Sequence, residues 1–203
     1  MTLDVAFTNL GTLQTDRLRI RPLDIRDVDA YFEIKSDPEV TTKYCLEPDR
    51  FIEETRVWVE KRIEDYTKRD VTYWVFALKE DDRAIGGCCF WNFDPTLRCA
   101  EIGYELNRAY WSKGITSEAL LAILTYGFAD MDLHRIEALP LAFNEPSVKL
   151  LKKLGFTLEG TIRERVYFRG RFCDQLMFGL LRDEWMNRIY LSSVADHKLI
   201  RDL

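Results

Sequence analysis

Glu101-Ile-Gly-Tyr-Glu-Leu-Asn-Arg-Ala-Tyr-Trp-Ser-Lys-Gly-Ile-Thr-Ser-Glu-Ala-Leu120 decides how this chain is read. Its first residues form a strand that ends near Leu106. A loop follows, and Lys113-Gly114 leads into Thr116-Ser117, which open a helix. Backbone N–H groups at a helix start have no partner inside the helix, and the helix dipole is positive there. Such a start holds phosphate without many charged side chains. Gly114 lets the backbone approach an anion closely. The same residues also suit a plain helix start, with Gly114 shaping the turn and Thr116 capping it. One glycine beside a helix does not separate the two readings.

Outward from this stretch the pattern is regular. Tyr73 to Lys79, Arg83 to Phe93 and Cys99 to Leu106 are aromatic and β-branched runs between short polar turns, and predict three antiparallel strands. Before them, Arg17 to Leu23 alternates apolar and basic residues as a strand does. Asp24 to Ser36 predicts a helix, with Asp37-Pro38 as its stop. Thr41 to Arg50 reads as a loop, and Phe51 to Lys68 as an amphipathic helix. After the central stretch, Ser117 to Ala129 is helical, Arg135 to Leu141 a strand and Pro146 to Lys153 a short helix. Phe156 to Phe168 and Phe172 to Leu181 flank Arg169-Gly170-Arg171 as a final hairpin. Arg182 to Ala195 predicts a last helix. The expected fold is mixed α/β with a mostly antiparallel sheet and one strand–helix–strand crossover. No repeat, low-complexity tract or linker interrupts it, so residues 1–203 read as one domain.

Composition narrows the function. The chain has 203 residues, 47% hydrophobic and 31% charged, with a net charge of -5. That balance argues against nucleic-acid binding by phosphate neutralisation. It suits a cationic small molecule or a basic peptide, and serves solubility equally well. Met1 to Leu13 has no basic segment followed by an apolar one, so no signal peptide is expected. No apolar run approaches the roughly 18 residues of a membrane span. The expected location is cytoplasmic, with no membrane partner. The five cysteines, Cys45, Cys88, Cys89, Cys99 and Cys173, read as free thiols, and no metal site is expected. Cys88 and Cys89 should face opposite sides of their strand.

A second segment, Asn144-Glu-Pro-Ser147-Val-Lys-Leu-Leu-Lys-Lys-Leu-Gly155-Phe156, has Asn or Ser capping a short helix that Gly155 ends. Together the two segments resemble the GNAT superfamily of acetyltransferases, and most of all its RimJ/RimL branch of ribosomal-protein N-terminal acetyltransferases. Leu13-Gln-Thr-Asp-Arg-Leu-Arg-Ile-Arg-Pro-Leu23 resembles that branch's first strand. Ala100 to Tyr104, Tyr110 to Gly114 and Ser117 to Leu120 resemble its acyl-CoA motif. Gly160, Arg163, Gly170 and Asp174 echo its closing hairpin. The resemblance runs from about Leu13 to Trp185.

The resemblance implies a sheet splayed at an acyl-CoA site, with acetyl-CoA as acyl donor. Backbone groups from Tyr104 to Leu106 would pair with pantetheine amides. Lys113, Gly114, Ile115, Thr116 and Ser117 would hold the pyrophosphate, and Asn144 would contact the cofactor from the next helix. Ser147 would sit near the sulfur and protonate the leaving thiolate. Thr116 stands where Gly or Ala is usual. Val166 stands where the branch carries a glutamate, with Glu164 nearby. The implied reaction is direct acetyl transfer to an amine acceptor, a protein N-terminus in this branch. A polyamine, an aminoglycoside, an amino-acid toxin or another acyl donor stays open, as does a CoA-binding regulatory module without turnover.

The chemistry adds one demand. An amine attacks a thioester only when neutral, yet most amines are protonated at neutral pH. A carboxylate takes that proton, and a strand N–H stabilises the oxyanion. Glu101, on the strand flanking the thioester, is the first choice; Glu105 and Glu118 are weaker ones. Phe90 to Asp94 and Tyr167 to Arg169 are candidates to line the acceptor cleft. A homodimer is left open, because helix faces that suit a core also suit a dimer surface.

Overall fold

The computed structural model describes residues 7–8 and 10–201, with side chains up to residue 191. Strands β1 (Leu13–Gln14) and β2 (Leu18–Pro22) lead to helices α1 (Val28–Lys35), α2 (Pro38–Thr41) and α3 (Ile52–Thr67). Three strands follow: β3 (Thr72–Leu78), β4 (Ala84–Asp94) and β5 (Cys99–Leu106). Helix α4 (Ile115–Ala129), β6 (Arg135–Ala138) and α5 (Glu145–Leu154) come next. The hairpin β7 (Thr157–Phe168) and β8 (Arg171–Leu181) precedes α6 (Arg182–Arg201). The sheet runs β1-β2-β3-β4-β5-β6-β8-β7. Every neighbouring pair is antiparallel except β5 and β6. Helix α4 makes that one parallel crossover, as expected.

Alternation along β3 and β4 builds two cores. Trp74, Phe76, Cys88 and Phe90 join the larger cluster, on the side of α4, with Ile115, Leu120, Ile123 and Phe128. Tyr73, Val75 and Ala77 face the other side and pack with Val28 and Tyr31 of α1 and Val59 of α3. Cys88 and Cys89 contribute to opposite clusters, which a period of two requires. Because helices cover both faces, β3 is buried along nearly its whole length. Among the described residues no helix is long and apolar enough to cross a membrane.

Three elements differ from the expectation. Helix α1 ends at Lys35, before Asp37-Pro38 as expected, but the short helix α2 follows at once where none was predicted: the Asp37 side chain accepts the Glu39 N–H, and Pro38 opens α2, where its missing N–H costs nothing. The loop after it contains a 3-10 turn, Thr42–Tyr44, closed by Cys45 at φ 55°. The strand from Arg135 stops at Ala138 instead of Leu141, because Pro140 cannot donate to a ladder. Leu141 forms an isolated bridge to Gln175, and Pro140 and Ala142 still bond to β8 on either side of it.

That early stop positions the site. Strand β5 pairs with β6 only through Cys99↔Arg135, Ala100↔Ile136 and Glu101↔Glu137. On its other side β5 stays paired with β4 as far as Gly86↔Leu106. From Ile102 to Leu106 one edge of β5 is therefore open inside the sheet. The expected splay is present: beyond Glu137 the chain stays bonded to β8, through the Leu176 N–H to the Pro140 carbonyl and the Ala142 N–H to the Asp174 carbonyl, while it no longer pairs with β5.

Candidate active site

The open edge of β5 is the first component. The Asn107 N–H donates to Ile85 on β4, so by strand alternation the Tyr104 and Leu106 peptide groups face the gap. Their carbonyls accept from the Tyr44 hydroxyl at 2.5 Å and the Trp111 indole N–H at 2.9 Å. A carbonyl oxygen has two lone pairs, so neither contact closes the edge to a further donor.

The start of α4 is the second. Gly114 is the N-cap, at φ 74° and ψ 4°, and no side chain caps the helix. Thr116 is inside the helix and does not cap it. The positive φ is what a glycine supplies cheaply. The first-turn N–H groups thus look out with the helix dipole behind them. The start of α5 is the third. The Asn144 side-chain oxygen accepts the Ser147 N–H at 3.4 Å, and its amide donates to the Lys43 carbonyl at 3.3 Å. Asn144 is thereby a joint between the Tyr44 loop and α5. Ser147 Oγ lies 2.8 Å from the Tyr104 hydroxyl. Burial pushes the Tyr104 phenol well up, against the opposing effect of the Ser147 contact, so it stays protonated at neutral pH.

Two cavities meet here. One, about 340 Å³, runs along Tyr104, Glu105 and Leu106 to Gly114, Ile115, Thr116 and Ser117, with Trp111 and Lys153 on its walls. The other, about 220 Å³, lies across the gap and is lined by Trp91, Glu101, Gly103, Leu139, Pro140, Val166 and Gln175 among others. Lys43, Tyr44, Tyr104, Asn144 and Ser147 line both. The Trp91 indole covers Gly103 so closely that a Cβ there would meet the ring at 2.7 Å. Glycine is required at that position for the cleft to have this wall.

Glu101 projects into the smaller cavity. Burial raises its carboxyl above the usual range; the Asn92 amide, donating at 3.0 Å, works the other way, and Glu137 beside it adds a smaller push up. Glu105 lies on the same face of β5 but accepts the Tyr73 hydroxyl at 2.7 Å, and Tyr73 contacts Tyr31 at 3.2 Å. It belongs to that buried tyrosine cluster. Glu118 is held by Thr15 and Arg17. Glu105 thus lines the larger cavity with its carboxylate bonded to Tyr73, and Glu118 lies outside both cavities.

The other expectations divide. Nine of the ten candidate residues, Glu101, Ser147, Tyr104, Leu106, Gly114, Ile115, Thr116, Ser117 and Asn144, line one or both cavities. Lys113 lines neither: its ammonium sits over the Tyr110 ring at 5.3 Å and its carbonyl accepts from Arg17. Trp91 lines the cleft and Asn92 contacts it only through its hydrogen bond to Glu101, but Phe90 is in the core. Tyr167 packs against Phe172 in a tilted ring pair at the exposed hairpin end, and Phe168 is buried. Val166 does line the cleft, whereas Glu164 is exposed. A register shift in the hairpin separates them; Glu164 takes φ 54° and its N–H donates to Asp174 at 2.7 Å. Tyr44, Gln175 and Arg17 were not anticipated, since each reaches the site through contacts remote in sequence. Among the described residues no group of three His, Cys, Asp or Glu is placed to hold a metal.

Comparison with known proteins agrees with this geometry. Residues 17–157 match the family described as acetyltransferase (GNAT) domain. The chain is 37% identical over 176 residues to the N-acetyltransferase p20 of Bacillus licheniformis, covering 87% of this chain and 99% of that one. A solved GNAT-family acetyltransferase from Bacillus anthracis superposes with a TM-score of 0.76 at 28% identity, covering 85% of this chain and 99% of the other. The Salmonella typhimurium enzyme that modifies the N-terminal serine of ribosomal protein L7/L12 shares the fold, with a TM-score of 0.76 at 22% identity.

Proposed function

The chain belongs to the GNAT acetyltransferase family, and on that premise we propose that it transfers an acetyl group directly from acetyl-CoA to an amine, with a protein N-terminus as acceptor. One observation carries the reading. A groove ending at an uncapped helix start and a cleft holding a carboxylate meet in the strand gap, at Tyr104 and Ser147. Acetyl-CoA supplies the activated acyl group as a thioester. The N–H groups of Ile115, Thr116 and Ser117 hold its diphosphate, with Gly114 giving the close approach. Tyr104 and Leu106 present peptide groups to the pantetheine, and Lys113 anchors the loop by its backbone. Asn144 fixes Ser147 and the Tyr44 loop against each other.

Glu101 takes the proton of the acceptor ammonium, so that the neutral nitrogen forms the C–N bond. A peptide N–H on the open β5 edge donates to the carbonyl oxygen as it gains charge. The C–S bond breaks, and Ser147 gives its hydroxyl proton to the thiolate and regains one through Tyr104; the second proton that the nitrogen loses as the amide forms restores Tyr104, and Glu101 releases the first to solvent. Ser147→Ala is expected to lower kcat about a hundredfold. CoA affinity should not change, because the Ser147 N–H cap does not depend on the side chain. Steady-state kinetics with calorimetry of CoA binding checks this; equal losses in both would assign Ser147 to binding instead.

A second acceptor class has its own support. Arg169, at the β7–β8 turn, pairs with Glu47 at 2.7 Å and ties the loop carrying Tyr44 to the hairpin carrying Val166 and Gln175. A cleft bounded by two tied segments favours a small cationic amine. Acetyl-CoA-dependent thiol release against N-terminal peptides, polyamines and aminoglycosides, with mass spectrometry of products, decides. Acetylated peptides support the first reading and acetylated small amines the second. CoA binding without release with any amine would leave a binding module.

A further inference from the structure

We propose that Arg17, on the turn between β1 and β2, is a positioning residue of the cofactor groove, holding the loop before α4 in the form that receives phosphate. This rests on the reading of that groove as an acyl-CoA site. Arg17 lies about a hundred positions from the loop it touches and does not itself line the groove. Its Nε donates to Glu118 at 2.6 Å, and its Nη1 donates to the Lys113 carbonyl at 2.9 Å. The Arg17 N–H and the Thr15 hydroxyl both donate to the other Glu118 oxygen, at 2.9 and 2.5 Å. The remaining Nη2 is 3.7 Å from where a Cβ on Gly114 would be.

Two consequences follow from this fork. The Lys113 carbonyl is drawn to the guanidinium, so the loop does not present an oxygen to an incoming anion. Glu118 sits one turn into α4, where an uncompensated carboxylate would repel phosphate. Burial works to raise its pKa, yet the hydrogen bonds from Thr15 and Arg17 hold it below the usual carboxylate range, so it is fully charged at neutral pH. The Arg17 guanidinium is what neutralises it. Lysine cannot do both tasks, because it lacks the planar fork.

The test is CoA binding by calorimetry on the full chain, with pantetheine as a phosphate-free probe and a melting curve for each variant. Arg17→Ala is expected to weaken CoA about tenfold or more, and to leave pantetheine unchanged. Adding Glu118→Gln to Arg17→Ala should restore part of the loss, by removing the exposed charge; a purely structural clasp would give no restoration. Arg17→Lys should fall between parent and Arg17→Ala, and it stands in if the alanine variant does not fold. Unchanged CoA affinity, or equal loss of CoA and pantetheine, overturns the proposal. A parent protein that binds no CoA overturns the groove reading itself, and Arg17 with it.

Discussion

Gly114→Glu is expected to abolish acetyl-CoA binding. Three effects act in one direction. A non-glycine residue at φ 74° and ψ 4° is strained by about 1–2 kcal/mol. The new carboxylate is drawn to the helix start itself, and occupies the N–H groups that the diphosphate needs. What phosphate still approaches meets a like charge. At 4 Å and an effective dielectric near 20 that repulsion is about 4 kcal/mol, on the order of a thousandfold in affinity. Gly114→Ala separates the terms. A Cβ there has room, the nearest heavy atom being the Arg17 guanidinium nitrogen at 3.7 Å, so alanine carries the backbone strain and no charge. It should lower the melting temperature by a few degrees and weaken CoA by only a small factor. Calorimetry of CoA binding to both variants gives the answer. Near-parental affinity in Gly114→Glu would remove this loop as the phosphate site.

Why was Gly114 visible in the sequence when Arg17 was not? Gly114 acts through its own backbone, and the strand end at Leu106 and the apolar run after Ile115 bracket it locally. Arg17 acts on Lys113 and Glu118 through the fold, and nothing in Thr15-Asp-Arg17 announces that reach. Tyr44 is the same kind of case: a loop residue whose hydroxyl meets Tyr104 because α2 and the 3-10 turn carry it there. The glutamates show a different limit. Glu101 and Glu105 have the same parity on β5, so alternation puts both on one face and cannot rank them. The ranking comes from Tyr73, which occupies Glu105, and from Asn92, which reaches Glu101 from a residue at φ 52°. Asp37-Pro38 ends α1 as the sequence predicts, but that Pro38 also starts a second, short helix is not legible, because a proline stop and a proline at a first helical position look the same in sequence.

Glu101→Gln is expected to lower kcat/KM by about 10²–10⁴-fold near neutral pH. Glutamine keeps an oxygen for the Asn92 amide and the shape of the cleft, so the variant removes the charge and little else. The pH dependence identifies the role. Burial raises the Glu101 carboxyl, so its basic form appears at a higher pH than for a free glutamate. In the parent, kcat/KM should rise with pH through that raised value; in Glu101→Gln this limb should vanish. The deficit should also shrink at alkaline pH, where the acceptor amine is already neutral. Stability should move oppositely. A carboxyl whose folded pKa lies above its unfolded value binds more protons folded than unfolded between the two, so stability falls as pH rises through that window. Above it the charged Glu101 remains a net cost to the fold. Glu101→Gln should therefore melt at a slightly higher temperature than the parent at neutral pH and lose that advantage in acid. A carboxylate whose charged form burial disfavours, lining a cleft in the sheet gap, is a candidate for a group retained for chemistry. A parental pH–rate profile in Glu101→Gln would remove it as the base, whatever its effect on melting.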